Sequence, residues 1–233
     1  PSSYGSPNLL ISGTDSTLTL MGDGSNNNSS FTGIKFRVAG GSAGDYTKAG
    51  IFAQRQGGYN DLDLIFALDT VADATSVAIS DEKLRITSSG QLLVGTANPI
   101  NTSTSKFQVA SNDATGSAIF ARFNANSYSS YLDFYKSRSN TLGTAYVVNN
   151  NDHLGALRFY AADGSNSGYT TAAEIYGSCD GGSGSSGDMP GRITFHTRAD
   201  GAGQSMQERM RISSTGYVTH QDGKKCAFNV KGT

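Results

Sequence analysis

One stretch of this chain occurs twice, and the repetition constrains the fold more than any other feature, because a repeated segment must find the same structure in both places. Residues 31–95 contain FTGIKFRVAGGSAGDYTKAGIFAQ, then DLDLIFALDT, then DEKLRITSSGQLLVG. Residues 153–218 contain HLGALRFYAADGSNSGYTTAAEIYG, then PGRITFHTRAD, then QERMRISSTGYV. Phe36 matches Phe159, Phe66 matches Phe195 and Ile86 matches Ile212, at offsets of 123, 129 and 126 residues; changes in loop length explain the drift. A weaker match between residues 8–24 and 106–125 carries the unit back in both copies. The domain reading is therefore a first unit over 1–96, a connector over 97–105 (ANPINTSTS, polar and without period), a second unit over 106–220, and the start of a further segment over 221–233.

The local pattern is that of short strands. Ile34, Phe36 and Val38 alternate with Lys35 and Arg37; Leu84 and Ile86 alternate with Lys83, Arg85 and Thr87; Ile193 and Phe195 alternate with Arg192, Thr194 and His196. Ser88-Ser89-Gly90 and Ser214-Thr215-Gly216 supply reversing turns in which Gly takes a positive φ. With 29 glycines and only 16% charged residues, the composition disfavours helices and supports an all-β chain. Hydrophobic residues reach 36%, little to set against the conformational entropy of so many glycines, so oligomerisation would help the fold. Each strand has one apolar face that needs a second sheet or a second chain.

The closing motif of each unit carries a resemblance. DEKLRITSSGQLLVGT at 81–96 and QERMRISSTGYV at 207–218 resemble the E-R-L-R-I-x-x-x-G-x-V-G-I-G-T segments of bacteriophage tail fibres and related virion structural proteins. Such segments are often found ahead of a receptor-binding knob or a self-cleaving chaperone domain. The upstream I-x-F, A-x-I and L-x-F-x-T strands resemble that family too, so the likeness covers most of the chain. Leu92-Leu93-Val94 stands where the family has Val-Gly-Ile, and the second copy runs into Tyr217-Val218-Thr219-His220 without a Gly-Thr ending. The resemblance implies an elongated homotrimeric fibre segment of tandem antiparallel units, located in a virion appendage, with other virion proteins as partners and a host cell-surface glycan or protein as a possible one.

The residues offer little chemistry. Gly182 to Gly187 spells G-x-G-x-x-G, but Asp188-Met189-Pro190-Gly191 leads into a strand, whereas a dinucleotide site needs a helix there. Asp61 and Asp63 are the fairest carboxylate pair for a tailspike glycosidase, yet Asp at a strand entrance after Gly57-Gly58 is ordinary turn chemistry and the second unit has no matching pair. His153, His196 and His220 lack zinc-site spacing, Cys179 and Cys226 are far apart, and Asp23, Asp163 and Asp180 do not form the ordered acidic series of a calcium loop. No nucleophile elbow is present, and the N-x-Ser/Thr triplets at Asn27, Asn28 and Asn101 suit an Asn- and Ser-rich chain. Tyr46, Tyr59, Tyr169 and Tyr176 could stack on sugars, although the equivalence of Tyr46 and Tyr169 argues for a role in the fold.

A net charge of -1 lacks the basic footprint that nucleic acid requires, and no apolar run reaches the roughly 20 residues of a membrane helix. Pro1 at the start, and Thr233 just after an expected strand at 226–230, read as the ends of a portion of something longer. The expectation is thus a non-enzymatic trimeric shaft with no cofactor, no metal and no assigned catalytic or binding residue. A carbohydrate-binding module is the first alternative and a polysaccharide depolymerase the second.

Overall fold

The computed structural model describes residues 18–20, 30–37, 46–57, 61–100, 105–112, 118–164, 168–182, 187–201 and 203–220. It divides into two compact units, Pro1–Ile119 and Phe120–Thr233. Among the described residues their regular secondary structure is strand, with a 3-10 turn at Ile79–Asp81.

The first unit is one six-stranded sheet: β1 (Phe31–Phe36), β2 (Ala49–Arg55), β3 (Leu62–Leu68), β4 (Glu82–Ile86), β5 (Leu92–Val94) and β6 (Phe107–Val109), paired in that order. Neighbours are antiparallel except β5 and β6, which run parallel. β6, which the sequence reading puts at the start of the second unit, here completes the first sheet. The alternation in β3, Leu-Asp-Leu-Ile-Phe-Ala-Leu, sends Asp63, Ile65 and Ala67 to a covered face and Leu62, Leu64, Phe66 and Leu68 to an exposed one.

The cover is the β3–β4 connection. Val77 packs with Phe52, Ile65 and Ala67, and Ile79 closes the cluster. Burial of each of the larger side chains contributes about 1.5–3 kcal/mol. Lys48 holds the connection down: its Nζ donates to Asp69 Oδ2 at 2.6 Å, to Asp73 Oδ1 at 2.9 Å and to the Val71 carbonyl at 2.9 Å. The Thr75 hydroxyl and Lys48, both donating to Asp73, draw its carboxyl down to about 2.

The second unit is a five-stranded antiparallel sheet: β7 (His153–Ala162), β8 (Tyr169–Cys179), β9 (Gly191–Arg198), β10 (Met206–Ile212) and β11 (Val218–His220), in the order β11-β10-β9-β8-β7. The registers of the two sheets correspond. Ile34 faces Ile51 and Ile51 faces Phe66; Leu157 faces Ile175 and Ile175 faces Phe195. One step of the offset falls inside β8 and not in a loop: Phe159 faces Ala173 while Tyr160 faces Thr171, so Ala172 is an extra, bulged residue. The turns also agree. Gly90 donates to the Thr87 carbonyl at φ 75, and Gly216 to the Ser213 carbonyl at φ 83, the left-handed region that both triplets call for.

Candidate assembly surface and the polar face behind it

A β-bulge recurs at the closing motif. Phe66 faces Leu84 but Ala67 faces Glu82, leaving Lys83 unpaired; Phe195 faces Met210 but His196 faces Glu208, leaving Arg209 unpaired. In a regular strand, residues three apart point to opposite faces. The extra residue brings Glu82 and Arg85 to one face, where Arg85 Nε and Nη2 donate to Glu82 Oε1 and Oε2 at 2.8 and 2.5 Å. Arg211 clasps Glu208 likewise at 2.9 and 2.8 Å. Arg85 Nη1 also reaches Asp63 Oδ2 at 2.6 Å, and Asp63 Oδ1 accepts the Ser88 backbone N–H at 2.8 Å, which ties the turn to the sheet. In the second unit Asp180 takes that place, accepting the Ser214 N–H at 2.8 Å and Arg192 at 3.1 Å; both contacts hold its carboxyl below the usual carboxylate range, the Ser214 N–H most strongly.

With the charged groups gathered behind, the other face of each sheet is left apolar. In the first unit a single register row runs across all six strands: Ile34, Ile51, Phe66, Leu84, Val94 and Val109. A second row runs Thr32, Ala53, Leu64, Ile86, Leu92 and Phe107. Ile34, Leu64, Phe66, Ile86, Phe107 and Val109 are all exposed. In the second unit the row is Leu157, Ile175, Phe195 and Met210, ending on His220. The exposed apolar face of the first unit marks an interaction surface, while in the second unit only Leu157 of the row is exposed and the rest is half-buried.

The opposite faces differ between the units. Where the first has Phe52, Ile65 and Ala67 under the β3–β4 connection, with the exposed Phe31 edge-on to Phe52, the second has Tyr176, Thr194, His196 and His153 at the corresponding register positions. The β9–β10 connection, residues 199–205, is shorter than its counterpart at 69–81. Tyr176 lies between the two imidazoles, with ring centroids 4.4 Å from His153 and 5.3 Å from His196. Its hydroxyl accepts from Arg158 at 3.3 Å, and Arg158 pairs with Glu174 at 3.2 Å. Sequence reasoning set the three histidines aside for their spacing. It missed that register pairing brings His153 and His196 to one tyrosine, and the signal was the mutual alignment of the two repeats.

The remaining candidates fall as follows. Asp61 is exposed just before β3, while Asp63 is buried and committed to Arg85 and Ser88. Tyr46 is half-buried ahead of β2, and Tyr169 opens β8 opposite Ala162. Asp163 accepts the Thr170 hydroxyl at 2.8 Å. Cys179 is buried as a free thiol. Among the described residues no group of three or more His, Cys, Asp or Glu could hold a metal ion. Asp23, Asn27, Asn28, Tyr59, Asn101, the 183–186 portion of the glycine loop, Cys226 and the 221–233 segment lie outside the described residues.

No family model matches the chain. No curated protein matches it either. Among solved structures, the carboxy-terminal domain of the bacteriophage T5 L-shaped tail fibre is similar over 94% of this chain and 92% of that one, with a TM-score of 0.67 and 12% identity. The same domain solved with its intramolecular chaperone domain gives a TM-score of 0.65 and 12% identity over 94% of this chain and 63% of that longer one. At that identity the likeness is one of fold: the chain is all-β and folds as a phage tail-fibre domain does.

Proposed function

We propose that this chain is a non-enzymatic structural segment of a phage tail fibre, part of a virion appendage, built from two copies of one sheet unit and assembled as a homotrimer that carries or contributes to host attachment. The observation that carries the reading is the unbroken apolar row from Ile34 to Val109, on a face where Ile34, Phe66 and Val109 stay exposed among the described residues, and the tail-fibre fold supports it. Apolar surface contributes roughly 25 cal/mol per Å² when removed from water. Association through these faces therefore makes folding and assembly one process, with stability that rises with chain concentration.

Light scattering coupled to size exclusion tests the reading. A mass near three times 24.3 kDa is expected at micromolar concentration. A mass of one chain would remove its main support.

The polar aromatic face of the second unit favours one further reading, a carbohydrate contact at the exposed His153, backed by the buried Tyr176 and the half-buried His196. Rings with adjacent hydrogen-bonding groups suit sugars, which offer C–H faces and hydroxyls together. Glycan-array binding that is lost in His153→Ala would support this reading; a blank array would count against it.

A further inference from the structure

Residues 120–135 contain large apolar side chains, most of which the described residues of the chain leave exposed. Phe120, Phe123, Tyr128, Tyr131, Leu132 and Tyr135 are all exposed, Phe123 at 98% and Tyr135 at 92%. Among the described residues no backbone–backbone hydrogen bond reaches residues 120–137. The segment is not a solvated linker: linkers are poor in aromatics, and its only charged residues are Arg122, which lies over the Tyr128 ring at 5.7 Å, and Asp133. Among the described residues its backbone bonds only to nearby side chains, the Phe120 carbonyl accepting from Ser130 and the Tyr128 N–H donating to Asn126, and most of its apolar side chains stay exposed.

The complementary vacancy lies in the same unit. β7 is the outermost strand of its sheet, ten residues long, with Leu157, Phe159 and Tyr160 exposed along it. A long apolar edge of this kind is one that native proteins cover. The end of the segment already touches this region: Phe134 packs over Gly155, so closely that a Cβ there would come within 2.6 Å of it. Leu132, Phe134, Leu157, Ile175 and Ile193 line an apolar groove of about 460 Å³.

We infer that residues 120–135, seated on their own β7 only through Leu132 and Phe134, form an arm whose exposed side chains dock on the rest of the β7 edge and apolar face of a second copy of this chain. The chain offers donor and acceptor once each. Such a contact is heterologous and is satisfied in every copy only when the ring closes, as three copies allow. Five buried aromatics would remove on the order of 600 Å² of arm surface from water, most of the roughly 800 Å² that one partner contributes to a standard interface. The inference rests on the homotrimer proposed above and specifies which residues hold it together.

The test places a photo-crosslinking phenylalanine analogue at position 123 of the full chain and, separately, makes the F123D/Y135D variant. Irradiation should yield species of two and three chains, with the crosslinked peptide mapping to residues 153–162. The variant should dissociate to single chains at concentrations on the order of a hundredfold higher than the parent does. A parent chain that is monomeric overturns both the trimer and the arm. A trimeric parent with crosslinks elsewhere, or a variant as stable as the parent, overturns the arm alone.

Discussion

Arg85 and Arg211 hold corresponding places in the two sheets, but their surroundings predict unequal costs for the same change. The Arg85 side chain is 8% exposed, and its partners Asp63 and Glu82 are 6% and 10% exposed. Arg85→Met keeps most of the packing volume and leaves two carboxylates under the sheet without a cation, a loss of about 3–5 kcal/mol for breaking a buried pair from one side. Arg211 is 37% exposed and Glu208 23%, so solvent screens that pair and Arg211→Met should cost at most about 1 kcal/mol. In a chain of this size the first corresponds to a drop in Tm of about 6–20 °C and the second to less than about 4 °C. Both are read by thermal unfolding at one fixed chain concentration, because the proposed association would contribute to Tm. The D63N/E82Q/R85M combination removes the buried charge altogether, keeps an acceptor for the Ser88 N–H, and should recover most of the loss. Equal shifts for the two arginines, or no recovery in the combination, would refute the account of the bulge as a buried charge clasp.

Other consequences are open to test. Phe66→Asp, at the centre of the apolar row and touching none of the covered core, should lower the solution mass toward one chain while far-ultraviolet circular dichroism stays that of a β protein. Asp73 has a folded pKa lowered to about 2, so its contribution is present above the ordinary carboxylate range and is lost as pH falls from about 4 through 2. Amide exchange at residues 69–77 should accelerate over that window, and Lys48→Met should weaken the pH dependence without abolishing it, because the Thr75 hydroxyl and N–H still donate to Asp73. Gly95→Ala places a Cβ 2.1 Å from the Ala110 carbonyl oxygen at φ +75, whereas Gly143→Ala at φ +81 meets nothing within 4 Å. Both changes are strained, by about 1–2 kcal/mol for the backbone alone, and urea midpoints should show Gly95→Ala to be clearly the more damaging.

Much of the fold was legible because two signals coincided. Period-2 alternation located β1, β4 and β9, and the repeat extended the assignment to strands whose own pattern is weaker, such as β8 with its Thr-Thr-Ala-Ala run. What stayed hidden depends on pairing. Glu82 and Arg85 read as residues on opposite faces, and only the partner register of β3 reveals that Lys83 is extra. β6 is three residues long and joins the first sheet in parallel across a connection, for which local pattern gives no cue. The polar face was hidden for a similar reason: His153, Tyr176 and His196 come from three strands and are separated by 23 and 20 residues in sequence.

The bulge also bears on how the chain avoids error. A row of similar apolar residues on every strand is nearly degenerate: sliding one strand by two residues keeps its apolar side chains on the same face, so hydrophobic contact alone discriminates poorly against the slip. A charge clasp that closes at one position removes the degeneracy. Slipped by two, β4 would carry Arg85 away from Asp63 and leave a carboxylate stranded under the sheet, so the wrong alignment would be short-lived and free to re-form. In the first sheet the Arg85–Asp63 pair thereby favours one alignment of β4 on β3, whereas in the second Arg211 and Glu208 share a strand and their pair would travel with it.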